Sequence, residues 1–419
     1  MLPFLIIIIY SALLYWGLLH WHPFFKIEGT TPLFIFIAFG LKIICGITFG
    51  LIYQNYFQGG DTFYYYEDSK LIYETFTKYP SYYLQSIFGG RPAVPDEKVF
   101  TYPDTHLILK DLGTYTIIHV HAVIHIFTFG YYSLHIFWVA LLGLVTNILY
   151  YRVFWNASRH PPVVFICILF FSPSLLFWTS GLHKDAFVCF GFGLLLHAFS
   201  QIENGQRTYK QLFTSILVIG LFRTYLLGLI MPFVLAWFLC RKRRTNLFRH
   251  FSLMSLFIVT IGILSSYLIA ENGIFELLFR KQEEFIAEES ATDIQLPRLE
   301  PNFWGVLRFI PHIILNVVLK PYIWEVKGFL QLLAGIEVII GLAFSVLTLY
   351  WTRHKRWSWT PVFCFTFFYF LSHLGLIGLL VDNIGSIVRY RSIPIYLGLL
   401  LIANRLYLSV YEEDSLSKV

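Results

Sequence analysis

Charge is scarce in this chain. Only 13% of its 419 residues are Asp, Glu, Lys or Arg, about half the share of an ordinary soluble domain. Together with 57% hydrophobic residues and apolar runs from end to end, that scarcity excludes both a soluble globule and a disordered chain. Cysteine is also sparse. Cys45, Cys167, Cys189, Cys240 and Cys364 lie in or beside apolar runs with no CxxC or Cys/His spacing, so neither a disulfide framework nor a zinc site is expected. Neither a Walker loop nor a Rossmann fingerprint is present, which leaves no nucleotide cofactor to assign. The opening stretch 1–19 has no basic n-region or small-residue cleavage site and reads as a first membrane span.

What is there is an all-α pattern: a polytopic transmembrane helical bundle forming a single integral membrane domain over 1–419. Apolar runs fall at 1–19, 32–52, 132–151, 162–180, 184–200, 212–240, 250–270, 329–351, 360–381 and 392–409. Aromatics reach 19%, as helix faces and interfacial belts require. The loops are of two kinds. Short basic ones hold Arg152 with Arg159, Arg207 with Lys210, the run Arg241 to Arg244 with Arg249, and Arg353, Lys355 and Arg356. Long acidic ones are 53–113, with eight acids against five bases, and 271–305, with eight against three. Lys and Arg near span ends resist translocation. The basic loops and the C-terminus are therefore expected inside, and the acidic loops outside.

Parity then shapes three segments. The run 212–240 begins and ends at basic loops and is long for one crossing, so it should be two short helices meeting at a break at 222–224. Segments 114–131 and 306–326 must stay outside, the first as an interfacial or re-entrant helix, the second as a shallow helix at the outer surface broken by Pro311 and Pro321. The total is about eleven crossings. Segment 271–300 is the candidate for a mobile outer loop. His119, His121 and His125 lie on an amphipathic stretch with no HExxH glutamate and read as part of a plain interfacial helix. Lys42 is expected to snorkel or pair.

Ionisable groups at membrane depth tend to mark function, and this topology sends most of them to one face. They are Asp61 after two glycines, with Glu67 and Asp68; His183, Lys184 and Asp185 in a short turn; Arg223 at the helix break; Lys320, Trp324 and Glu325; and Asp382, Arg389 and Arg391. Group transfer from a lipid diphosphate suits this set. Arginine forks match phosphate oxygens bidentately, which nominates Arg223, Arg389 and Arg391, with Lys184 assisting. A carboxylate is needed to take a proton from an acceptor hydroxyl; Asp61 is the first choice and Glu325 the second. His183, Asp185 and Trp324 complete the expected substrate contacts. Duller roles stand beside these. Asp61 and Asp185 can cap helices, Arg389 and Arg391 can snorkel, and Glu325 can pair with Lys320 or Lys327.

The succession Gly-Gly-Asp (59–61), Ser-Pro-Ser-Leu-Leu-Phe-Trp-Thr-Ser-Gly-Leu-His-Lys-Asp (172–185), Phe-Arg-Thr-Tyr (222–225), Lys-Pro-Tyr-Ile-Trp-Glu (320–325) and Arg-Tyr-Arg-Ser-Ile-Pro-Ile (389–395) resembles bacterial surface-polysaccharide proteins. These are the O-antigen polymerases (Wzy-type) and related GT-C-like glycosyltransferases. The resemblance implies a multi-span helical enzyme of the bacterial inner membrane, working at its periplasmic face on undecaprenyl-diphosphate-linked glycan, with chain-length or flippase proteins as partners. It also implies that Arg223, Arg389 and Arg391 bind phosphate and that Asp61 is the acid of the first outer loop. No Asp-x-Asp pair occurs there, so no divalent metal is assigned. A transporter or flippase of lipid-linked glycans, and a non-catalytic scaffold, stay open as alternatives.

Overall fold

The computed structural model describes residues 2–20, 23–27, 29–88, 111–155, 163–242, 246–268, 273–288, 290, 292–355 and 357–416. Arg159, Arg243, Arg244, Arg356, Glu289 and most of the second half of the expected loop 53–113 lie outside the described residues.

The described chain is helical, with no strand and one isolated bridge between Asp293 and Asn383. In order the helices are α1 (Leu2–His20), α2 (Pro32–Asn55), α3 (Asp61–Lys78), α4 (Pro80–Ile87), α5 (Leu112–Thr128), α6 (Tyr132–Trp155), α7 (Val163–Phe171) and α8 (Pro173–Trp178). They continue with α9 (Lys184–Glu203), α10 (Tyr209–Phe222), α11 (Thr224–Cys240), α12 (Leu247–Leu268), α13 (Ile274–Ala287) and α14 (Phe303–Arg308). The last three are α15 (Phe329–Trp351), α16 (Pro361–Leu380) and α17 (Ile384–Leu416). Among the described residues seven helices, α2, α6, α9, α12, α15, α16 and the Ile384–Leu406 part of α17, are long and apolar enough to cross a membrane. Shorter apolar helices include Leu112–Thr128, Tyr209–Phe222 and Thr224–Cys240, below the ~20 residues a perpendicular crossing takes.

Local sequence explains where several helices begin. Thr31 accepts a hydrogen bond from the Phe34 amide at 3.2 Å and Thr360 one from Phe363 at 3.2 Å, each followed by a proline at the first helical position. That pairing of hydroxyl cap and proline satisfies one orphan amide and removes another. Arg223, with φ −147° and ψ 80°, separates α10 from α11, so 212–240 is indeed two helices meeting at that residue.

Two acidic stretches expected as loops are partly helical. In 53–113, helix α3 buries Thr62, Tyr65, Ser69, Ile72 and Thr75. That is a three- and four-residue spacing, masked in the sequence by the acids Asp61, Glu67, Asp68 and Glu74 that lie among these residues. In 271–300, expected as mobile, α13 is folded: Gln282 is buried, donates to the Leu379 carbonyl at 2.8 Å and accepts from the Leu299 amide at 2.6 Å. Around 306–326, Phe303–Arg308 is α-helical, Pro311 sits in the first turn of a short helix Ile310–His312 that runs into a π-helical turn at Ile313–Leu319, and Pro321 follows the end of that turn.

The chain divides into two compact units. The first comprises Met1–Val153 with Leu176–Leu227, the second Phe154–Leu175 with Gly228–Val419. In the first, α9 packs along α10, and α3 along α4 and α5. Ile136, Val139, Leu182 and Ala186 form a buried cluster at the start of α9. Lys42 of α2 is wholly buried there and donates to the Thr179 hydroxyl at 2.9 Å. It pairs inward and does not snorkel. In the second unit α16 packs against α12, α13 and α17, around Leu299, Phe309, Val317, Leu374, Ile377 and Ile387.

Candidate functional site

Four separated pieces of the first unit converge on the start of α9. Gly59 and Gly60 adopt φ of 129° and 100°, a region open to glycine, and the turn they make places Asp61 as the first residue of α3. Its carboxylate is half-exposed, and a negative charge in the first turn of a helix is favoured by the helix dipole. His183 is the residue before α9 and is fully buried. Its Nε2 lies 3.7 Å from Asp61 Oδ2, and its Nδ1 lies 3.6 Å from Asp185 Oδ2. Rings of Phe49, Tyr53, Tyr65 and Trp178 surround the imidazole edge-on, with centroids 5.8 to 6.4 Å away.

Asp185 is buried and forms an ion pair with Nη2 of Arg223, whose Nη1 donates to the Tyr225 hydroxyl at 2.7 Å. The break between α10 and α11 delivers this arginine, and a close approach holds it in place. A Cβ on Gly113 would stand 2.3 Å from the Phe222 carbonyl oxygen, so only glycine lets α5 lie this near the break.

Lys184 binds an acid that the sequence reading passed over. Asp111 caps α5 by accepting from the Thr114 amide at 3.0 Å, and it receives Lys184 Nζ at 2.9 and 3.2 Å; Lys184 also donates to the Thr114 hydroxyl at 2.6 Å. Burial pushes the Asp111 carboxyl up, but the bonds from Thr114 and Lys184 outweigh it and hold the group below its usual range. On α3, burial raises the Asp68 carboxyl. The cluster thus sets Asp61, Asp111 and Asp185 against Lys184 and Arg223, with one imidazole between two of the acids. Both cations are engaged by carboxylates, and Asp61 is the acid most open to a substrate alongside Asp111.

The other sequence-selected residues belong to the second unit. Trp324 is 80% exposed and stacks on Tyr322 at 5.0 Å, while Glu325 pairs with Lys320 at 3.4 Å. The guanidinium of Arg389 lies 5.4 Å from the Tyr390 ring. Arg391 is buried, and its Nη1 donates to the carbonyls of Val317, at 2.7 Å, and Lys320. Asp382 is buried, which raises its carboxyl. Sequence reasoning missed one further acid here. Glu337, the only charged residue of α15, accepts from the hydroxyls of Ser172 and Ser174. A lone carboxylate inside a 23-residue apolar helix was the available signal.

Compared with family models, with curated proteins and with solved structures, the chain has no match.

Proposed function

We propose that the chain is a membrane glycosyltransferase acting on polyprenyl-diphosphate-linked glycans in surface polysaccharide synthesis, and specifically a repeat-unit polymerase. The observation behind this reading is Asp61, a half-exposed carboxylate backed by buried His183, with Lys184 and Arg223 in the same cluster. In this reaction a hydroxyl of one lipid-linked unit attacks the anomeric carbon of the growing glycan. The bond from that carbon to the diphosphate breaks, the diphosphate leaves with the electron pair, and Asp61 takes the hydroxyl proton. His183 orients the Asp61 carboxylate. Lys184 and Arg223 bind the diphosphate by exchanging Asp111 and Asp185 for phosphate oxygens, and they stabilise the charge that develops as it leaves. On release the carboxylates reclaim their cations.

The placement that goes with this reading is a bacterial inner membrane, with about eleven crossings once the shorter apolar helices are counted, the site on the outer face and the C-terminus inside. Arg389, Arg391, Trp324 and Glu325 remain outside the proposed chemistry.

A second reading, a transporter or flippase of lipid-linked glycans, is favoured by buried Lys42 within α2 and by the broken pair α10 and α11, features that mark translocation paths. Deletion of the gene followed by analysis of lipid-linked glycans separates the two. Single repeat units on the outer leaflet support the polymerase, and units confined to the inner leaflet support the flippase. Unchanged glycans contradict both.

A further inference from the structure

The second unit holds a cavity of about 130 Å³ between α15 and α17. Glu337 lines it, and its carboxylate accepts from Ser172 Oγ at 2.5 Å, from the Ser174 amide at 3.2 Å and from the Ser174 hydroxyl. With those donors in place its acceptor capacity is largely filled. Also lining the cavity is Arg391, only 5% exposed. Its Nη1 is taken by the Val317 and Lys320 carbonyls, while Nε and Nη2 have no protein acceptor among the described residues. Glu337 and Arg391 do not come within the 4.0 Å of an ion pair. The remaining wall is mostly aliphatic, including Val338, Gly341, Leu342, Leu399 and Ile402.

We propose that this cavity binds an uncharged amphiphile, a hydrocarbon chain ending in hydroxyl or ester oxygens that accept from Arg391. Three chemical constraints select that class. A purely apolar guest leaves the guanidinium donors unmet, which is costly for a buried charged group. A free acid adds a negative charge to a cavity in which Glu337 and Arg391 already balance, in surroundings of low dielectric. A cation faces the arginine. The volume, close to that of engineered cavities that take a benzene ring, fits a head group or a short length of chain at a time. The rest of the guest runs along α15, most of whose apolar surface is exposed. This inference stands apart from the glycan chemistry, which uses the first unit.

The test uses the full chain in nanodiscs with a diazirine-bearing monoacylglycerol as photoprobe, at a pH where oleate is ionised. Label is expected on peptides around Gly341–Leu342 or Leu399–Ile402. Unlabelled 1-oleoylglycerol or farnesol should compete about tenfold better than oleate, a difference of ~1.4 kcal/mol; whichever of the two competes better identifies the chain as acyl or isoprenoid. Arg391→Ala releases two carbonyls and can fail to fold, so Gly341→Leu is the second variant. A Cβ there meets only Leu399 methyls at 3.8 and 3.9 Å, and the larger side chain fills the cavity. It should cut labelling about fivefold, as expected when a bulky group occupies the site, with an unchanged unfolding temperature. Label spread evenly over lipid-facing helices, equal competition by oleate, or full labelling of Gly341→Leu overturns the proposal.

Discussion

His183 Nε2 lies 3.7 Å from Asp61 Oδ2, so a fully buried imidazole stands directly behind a half-exposed carboxylate. Behind the imidazole come Asp185 and then Arg223, a line in which acidic and basic groups alternate. The physical consequence is that neither partner of the buried Asp185–Arg223 pair can be removed without leaving the other uncompensated.

Removing Arg223 is therefore the severe case. Arg223→Ala leaves Asp185 buried without its cation, and breaking such a pair costs about 3 kcal/mol or more. Asp185→Asn removes the charge that Arg223 neutralises and should cost less. The double variant should be less unstable than the sum of the two, by about 1 kcal/mol or more. Denaturant unfolding of the four proteins in mixed micelles checks this; strict additivity would show that the two side chains do not act as a pair.

Gly113 tests the packing that holds Arg223. With the Phe222 carbonyl 2.3 Å from where a Cβ would stand, Gly113→Ala forces α5 away from the break, at about 1–3 kcal/mol. Gly228→Ala, where a Cβ meets nothing within 4 Å, should be neutral or gain up to ~1 kcal/mol from helix propensity. Thermal unfolding of the two variants should move in opposite directions or differ by several degrees. Equal shifts would remove the close approach from the account.

Acid should loosen the Lys184–Asp111 contact. The Asp111 carboxyl is held below its usual value of 3.8 in the folded chain. Its contribution is thus complete above that value and is lost as pH falls through the lower, folded one. Stability measured from neutral pH down to about 3 should fall less steeply in Asp111→Asn than in the parent. Parallel profiles would mean that the contact does not form in solution.

Much of this arrangement can be read in the sequence, and the exceptions have physical causes. The break at Arg223 was legible because a charge interrupts a run too long for one crossing. The bend before Asp61 was legible in paired glycines. Only the start of helix α3 was legible, as a helix that Asp61 could cap; its length was obscured because its acids raise the polarity of the whole stretch, although Tyr65, Ser69 and Ile72 keep helical spacing. Asp111 was missed because its partner Lys184 is 73 positions away, a pairing that no local pattern encodes. Arg391 illustrates a further limit. An arginine at a span end looks available for phosphate, yet its Nη1 satisfies two carbonyls left by the irregular chain at 313–321.

The most direct test of the central claim uses purified chain in liposomes with lipid-linked repeat units, comparing the parent with Asp61→Asn. Asp61 is half-exposed and on a helix end, so the variant should fold and insert normally. Loss of a general base predicts that chain extension slows by about 10² to 10⁴, with single units left unextended. Extension at the parent rate by a folded Asp61→Asn protein contradicts the account.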